Sequence, residues 1–185
     1  MELSGPAWVA RFPNSRSLDK LSVGFRSKVA KFVAALRAAG ATVSIADTLR
    51  PPERAYLMHF AFSIAREGLS PASVPPKAGV DIQWLHPATP GKPGAKASKE
   101  AAEKMVTGYG IVFKPALNSR HTEGNAIDMG IAWIGDLVIK KADGTSVTIT
   151  SAPRDGGNAS LQKVGESYGV IKLVTDPPHW STDGH

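Results

Sequence analysis

The sequence has no cysteine among its 185 residues, and it has no long uninterrupted run of apolar residues. The absence of cysteine excludes disulfide bonds, thiolate nucleophiles and cysteine-based zinc sites. Any metal ion must therefore be held by His, Asp and Glu side chains. No stretch approaches the roughly 18 consecutive apolar residues of a transmembrane helix. Residues 1–20 also lack the apolar segment of a secretory signal, so an export signal of that type is not expected.

Acidic residues are outnumbered by basic ones, at 16 Asp and Glu against 22 Lys and Arg, which gives a formal net charge of +6. This excess favours contact with something anionic, such as nucleic acid, a membrane surface or an acidic cell-wall polymer. Charge alone does not choose among these partners, and a solvated surface without a polyanionic partner explains the excess equally well. No recognised nucleic-acid-binding motif is present, so a specific nucleic-acid partner is not expected.

The length and the 42% apolar composition predict one compact domain that spans residues 1–185. Helical periodicity and stop signals predict helices over residues 21–39, from the Pro51 and Pro52 pair to near Gly68, over 97–107 and over 158–168. Strands are predicted over residues 41–49, 109–113, 126–140, 146–150 and 170–174, with a turn at Asp143 and Gly144 between the third and fourth of them. Residues 69–96 are rich in Pro, Gly and Ala and are interpreted as an irregular insertion or a lid. This order of helices and antiparallel strands predicts an α+β fold.

Two short segments carry the residue types that bind metal ions. The first, residues 119–128, joins His121 to Asp128 through a turn that contains Gly124, and the second places His179 shortly after Asp176. Each segment alone is a weak signal, because a loop histidine is commonly an ordinary surface residue. Together they supply two imidazoles and one carboxylate, the ligand set of a catalytic zinc site that keeps one position open for water.

Amide hydrolysis at such a site also needs a group that takes a proton from water and passes it to the leaving amine. Asp176 is the candidate, because Pro177 and Pro178 can hold its carboxylate near the metal without making it a ligand. The sequence therefore predicts His121, Asp128 and His179 as zinc ligands and Asp176 as the general base.

These segments resemble the zinc D-Ala-D-Ala carboxypeptidase and L-alanyl-D-glutamate endopeptidase family, whose fold is shared with the Hedgehog signalling domain. The family pattern S-x-H-x-x-G-x-A-x-D is matched at every fixed position, by Ser119, His121, Gly124, Ala126 and Asp128. The second family element is an acidic residue, two spacers, a histidine and an aromatic residue or histidine, and it is matched by residues 176–180. The resemblance spans roughly residues 21–180, although residues 69–96 have no counterpart in the shorter members.

The resemblance implies a small antiparallel sheet with flanking helices and a zinc peptidase that acts on the peptidoglycan stem peptide. An aspartate at position 176 is similar to the phage endolysin branch, which implies cleavage of the L-alanyl-D-glutamate bond. Arg50 matches a family arginine that binds substrate near the scissile carbonyl, although an arginine that caps a strand end or pairs with a surface acid is an equal alternative. Ser119 either hydrogen-bonds substrate or stabilises the turn around His121, and Trp180 either lines the substrate groove or belongs to the core.

Two alternatives remain open at the level of sequence. A D-Ala-D-Ala carboxypeptidase or dipeptidase has the same ligand set, but those members usually carry Glu where this chain has Asp176. A zinc-stabilised binding module without turnover is the second alternative. The endolysin interpretation implies a monomer made in the host cytoplasm that reaches the cell wall after release, with an anionic wall or membrane surface as a second partner.

Overall fold

The computed structural model describes residues 1–90 and 93–185, and it contains four helices and eight short strands within those ranges. The helices are α1 (Val23–Ala38), α2 (Pro52–Arg66), α3 (Gly94–Tyr109) and α4 (Ala159–Ser167). The strands are β1 (Glu2–Leu3), β2 (Thr42–Asp47), β3 (Ile82–Gln83), β4 (Ala126–Ala132), β5 (Leu137–Lys140), β6 (Ser146–Ile149), β7 (Ile171–Lys172) and β8 (His179–Ser181). The predicted α+β class is confirmed. None of the helices in the described residues is both long and apolar enough to cross a bilayer.

Contacts within the chain divide it into two compact units, each with its own hydrophobic core. The first unit consists of Met1–Pro13 and Pro51–Asn118. In this unit α2 and α3 pack against each other, and β1 pairs with β3 in parallel. The largest side chains of its core come from both helices and from the segments around Trp8 and Trp84.

The second unit consists of Asn14–Arg50 and Ser119–His185. Its centre is a four-stranded antiparallel sheet in the order β2-β4-β8-β7, and β5 and β6 form a separate hairpin. Helix α1 buries one apolar face, formed by Phe25, Val29, Phe32, Val33 and Leu36, in the core of this unit. The helix stops at the predicted signal, because Gly40 takes a left-handed conformation (φ 89°) that an L side chain rarely adopts.

The strand predicted over residues 109–113 is wrong. Helix α3 continues to Tyr109, and Gly110 ends it in the left-handed conformation with φ 67°. Gly108, the residue after the predicted helix end at 107, lies inside the helix, where a Cβ atom would come within 2.9 Å of the Val9 side chain. Val112 and Phe113 are exposed, and neither pairs with a strand among residues 1–90 and 93–185, so their β-forming tendency does not produce a strand.

Two further boundaries differ from the sequence-based expectation. The single strand predicted over residues 126–140 is two strands, β4 and β5, because the chain turns between Trp133 and Asp136. The predicted excursion over residues 69–96 contains a 3-10 turn at Pro71–Ser73, strand β3 and the first residues of α3. Residues 91 and 92 of that excursion lie outside the described residues, and its role as a lid stays a prediction.

Candidate metal centre

Strand pairing brings two of the predicted ligands together. Asp128 lies on β4 and His179 lies on β8, and the antiparallel register places these two residues directly opposite each other. Side chains of directly opposed residues project from the same face of a sheet with Cβ atoms about 5 Å apart. The pairing therefore explains how a carboxylate and an imidazole that are far apart in sequence come to share one site.

The loop before β4 supplies the third residue, His121. Gly124 in this loop has φ 69°, and a Cβ atom there would lie 3.0 Å from both the backbone oxygen of Lys20 and the backbone nitrogen of Ser22. Only glycine fits this close approach, in which the Ser22 N–H donates to the Gly124 oxygen over 2.9 Å. The close approach fixes the loop against the residues that precede α1, and it thereby fixes the position of His121.

Ser119 stabilises the start of the same loop. Its Oγ accepts a hydrogen bond from the Thr122 N–H over 3.3 Å, and the Thr122 Oγ1 donates to the Ser119 carbonyl over 2.8 Å. These bonds correspond to the turn-stabilising alternative considered for Ser119. The hydroxyl is half-buried, and its contact with substrate stays a prediction.

The three ligand atoms converge on one point. His121 Nε2 lies 3.1 Å from Asp128 Oδ1 and 3.1 Å from His179 Nδ1, and His179 Nδ1 lies 3.2 Å from Asp128 Oδ1. Around a tetrahedral zinc ion with bonds of about 2.0–2.1 Å, ligand atoms lie about 3.3 Å from one another. The observed separations fit that arrangement, so these three residues form a group that could hold a metal ion.

The contacts among the three side chains favour an ionised Asp128. Burial by itself raises the pKa of Asp128, but its hydrogen bonds with His121 and His179 outweigh burial and leave this pKa well below the usual range. Burial by itself lowers the pKa of His179, whereas its bonds to Asp128 and to the His185 backbone oxygen raise this pKa above its ordinary value. The carboxylate is therefore ionised at neutral pH.

The ring of His179 is also oriented for metal binding. Its Nε2 lies 3.1 Å from the backbone oxygen of His185, a distance that fits an N–H donor on Nε2. When the neutral ring carries its proton on Nε2, the Nδ1 that faces His121 and Asp128 has a free lone pair. A carbonyl that fixes the tautomer in this way is a usual neighbour of a metal-binding histidine.

Asp176 lies beside this group without belonging to it. Its side chain is exposed, and it is not among the residues whose ligand atoms converge. The turn that carries it is closed by the His179 N–H, which donates to the Asp176 carbonyl over 3.1 Å. Burial lowers the pKa of His179, the contacts with Asp128 and His185 raise it, and the negative charge of Asp176 adds to that rise. The role of Asp176 as a general base stays a prediction.

Arg50 is connected to the centre through its backbone. The Arg50 N–H, three residues after the end of β2, donates to the carbonyl oxygen of His121 over 3.1 Å. Its Nε atom is buried without a hydrogen-bond partner, and no ion pair involves its guanidinium group within the described part of the chain. Arg50 therefore does not pair with an acidic side chain within the described residues.

Trp180 requires a correction. Its side chain is fully buried in the core of the second unit, where its ring centroid lies 5.5 Å from that of Phe32. The preceding residue, His179, points to the metal group, and neighbouring residues of a strand point to opposite faces. The predicted substrate contact of Trp180 thus has no surface on which to occur, and the core alternative is the correct one.

Sequence reasoning missed two other residues that support the centre. Lys172 is buried, and its ammonium group contacts the backbone of the segment that leads to His179. Val170 and Lys172 are two residues apart and project from the same face of an extended segment, so the apolar Val170 indicated that this lysine is also buried. Arg120, next to His121, binds the carboxylate of Asp183 with two of its nitrogen atoms. The Arg120 contact joins residues far apart in sequence, whereas the contacts of Lys172 lie within seven residues.

The side chains of His59 and His86 take no part in the centre. His59 contacts the backbone oxygen of Pro115 through Nδ1 over 2.8 Å, and His86 contacts the Ser4 hydroxyl through Nε2 over 2.9 Å. Among residues 1–90 and 93–185, the one cluster of potential metal-binding side chains consists of His121, Asp128 and His179. No protein-family model matches the chain, and no curated protein matches it, so the function is argued from this site itself.

Proposed function

We propose that the chain is a zinc-dependent peptidase that cleaves the stem peptide of bacterial peptidoglycan at the L-alanyl-D-glutamate bond. The observation that carries the proposal is the convergence of one carboxylate oxygen and two imidazole nitrogens within 3.1–3.2 Å of one another. The motif resemblance over residues 119–128 and 176–180 supports the choice of reaction and substrate.

The chemistry of the ligands favours zinc over the common hard cations. Two imidazoles and one carboxylate are typical of catalytic zinc sites, in which the protein supplies three ligands. Calcium prefers six to eight oxygen ligands at about 2.3–2.6 Å, and magnesium prefers octahedral oxygen coordination. A cluster with two nitrogen atoms and one oxygen atom suits neither of these ions.

In the proposed mechanism the protein residues have separate tasks. His121, Asp128 and His179 would hold zinc, which supplies Lewis-acid polarisation of the scissile carbonyl and acidifies the attacking water. Asp176 accepts the proton of that water and delivers it to the leaving amine. Arg50 stabilises the negative charge that develops on the carbonyl oxygen, a role supported by its buried, unpaired Nε atom and its bond to the His121 backbone.

We also propose that the second unit has the Hedgehog/DD-peptidase type of fold. The proposal is supported by the order of its elements: α1, then β2 followed by Arg50, then the His121 loop leading into β4, and finally β8 with His179. Two of the three metal ligands lie on neighbouring strands of one small antiparallel sheet. This arrangement agrees with the position that the motif resemblance gives to each functional residue.

The proposed biology follows from the endolysin resemblance. A monomer made in the host cytoplasm would act on the cell wall after its release. The net charge of +6 supports attraction to anionic wall polymer or membrane surface. This attraction would weaken at high salt, since screening shortens the range of surface charge interactions to about 10 Å at 0.1 M.

The test is digestion of purified peptidoglycan with and without a metal chelator, followed by mass spectrometry of the new termini. We expect chelator-sensitive release of fragments with new L-alanine carboxyl and D-glutamate amino termini. The Asp128→Ala variant should be inactive, and Asp136→Ala, which removes an exposed aspartate, should be fully active. Release of D-alanine would instead assign a D-Ala-D-Ala carboxypeptidase. Zinc binding without any cleavage would assign a binding module.

A further inference from the structure

Lys172 holds an unusual position for a lysine. Its side chain is buried at 7% exposure on β7, next to the fully buried Trp180 of β8. The Nζ atom donates to the carbonyl oxygen of Leu173 over 2.5 Å, to that of His179 over 3.1 Å and to that of Asp176. It also lies 5.7 Å from the centroid of the Trp180 ring. All three acceptors belong to the segment 173–179, which carries both Asp176 and His179.

The three bonds match the chemistry of an ammonium group. Lysine has three N–H donors, and each finds one backbone acceptor. No carboxylate forms an ion pair with Lys172 among the described residues. A buried charge is costly unless it is fully hydrogen-bonded. The buried ammonium group of Lys172 therefore requires residues 173–179 to keep the backbone conformation in which the three carbonyl groups point toward it. An apolar side chain would fill the same space without that requirement.

The two functional residues of the segment do not depend on Lys172 to the same extent. His179 is also held by its pairing with Asp128 across β4 and β8 and by the Leu173 N–H, which donates to its oxygen over 3.1 Å. Asp176 lies in an exposed turn outside any strand, and apart from Lys172 it is held by two backbone bonds, of 3.2 Å to Leu173 and 3.1 Å to His179. Loss of the ammonium group should therefore displace Asp176 more than His179.

We propose that Lys172 is a positioning residue that holds the backbone of Asp176, so that the Asp176 carboxylate stays beside the metal group. This inference rests on the proposed peptidase function. Lys172 touches neither substrate nor metal in this role, and it acts through the segment 173–179. Its removal should consequently lower turnover and leave the affinity for zinc nearly unchanged.

The first experiment compares Lys172→Met with Lys163→Met, which makes the same change at an exposed lysine of α4. We expect Lys172→Met to lower kcat by about 10- to 100-fold, the effect of a displaced catalytic group, with KM and zinc affinity within a few-fold of the parent. Lys163→Met should match the parent. In an Asp176→Ala background, Lys172→Met should cause little further loss, because the group that it positions is already gone. An equal loss in both backgrounds would overturn the proposal.

The second experiment does not depend on catalysis. Hydrogen exchange of the Asp176 and His179 amides, measured by NMR, should become at least about 10-fold faster in Lys172→Met, while amides of β2 and β4 keep their rates. If the parent protein does not cleave peptidoglycan but this exchange result is obtained, the proposed peptidase function is wrong and the proposed positioning role of Lys172 is still supported. Unchanged exchange at both amides overturns the positioning role. Lys172→Arg is the second variant, and if neither variant folds, Lys172 is a packing requirement and the proposal is wrong.

Discussion

Zinc should raise the free energy of unfolding by an amount that can be calculated from its binding to the folded protein. The three ligand atoms already lie 3.1–3.2 Å apart, so binding requires little rearrangement and acts on the folded state alone. At a free zinc concentration 100 times the Kd, the stabilisation is about 2.7 kcal/mol. For a chain of this size, about 2–4 °C of Tm corresponds to each kcal/mol, which gives a rise of about 5–11 °C.

The perturbation is Asp128→Ala, which removes the only charged ligand and leaves two imidazoles. Thermal unfolding of chelator-treated protein, with and without added zinc, measures the shift for the parent and for the variant. We expect the zinc-dependent rise in Tm to fall below about 2 °C in Asp128→Ala. Asp136→Ala is the matched control and should keep the full rise, because this aspartate is exposed and lies outside the metal group. An equal rise in Asp128→Ala and the parent would refute the assignment of the centre.

Three further predictions concern residues outside the ligand set. Asp183→Ala should lower zinc affinity by about 10-fold in a chelator competition, because the Arg120–Asp183 pair fixes the segment whose His185 oxygen orients a ligand. Trp180→Ala should lower the free energy of unfolding in urea by about 3–5 kcal/mol, since this fully buried ring leaves a cavity. Burial raises the pKa of Tyr109 to about 12, so stability that is present below pH 10 should fall as the pH rises through 12, and Tyr109→Phe should remove that pH dependence.

Each of these predictions has a control and an outcome that contradicts it. Unchanged zinc affinity in Asp183→Ala would mean that the His185 segment keeps its place without the ion pair. Val138→Ala changes a largely exposed strand residue and should alter the free energy of unfolding by no more than about 0.5 kcal/mol. A loss as small as this in Trp180→Ala would contradict the burial of the indole ring. An alkaline loss of stability that is the same in Tyr109→Phe would assign the effect to another group.

Local patterns in the sequence were sufficient for much of the fold. The helical spacing from Phe25 to Leu36 and the glycine at position 40 predicted α1 and its end, because apolar periodicity and a left-handed stop are local properties. The Asp143 and Gly144 turn likewise predicted the hairpin of β5 and β6. The strand predicted over residues 109–113 failed because β-forming residues make a strand only where a partner strand exists.

Some features of the candidate site were likewise predictable from local sequence, and others were not. The spacing of His121, Gly124 and Asp128 and the nearby Asp176 and His179 were enough to choose the ligand types, since the chemistry of metal ligands is a property of the residues themselves. The depth of Trp180 was beyond any local pattern. It depends on which strands are neighbours and in which register, and that is decided by contacts over the whole chain.

Residue type and short-range spacing thus determined that this chain carries two imidazoles and a carboxylate suited to zinc, together with an additional acidic residue close to one of them. The antiparallel pairing of β4 with β8 and the close approach at Gly124 decided that the three ligand atoms meet. The physical reason is that a pattern along the chain specifies what a side chain can bind. The distance between two side chains some sixty residues apart depends on packing, hydrogen bonding and strand register, which are properties of the folded chain alone.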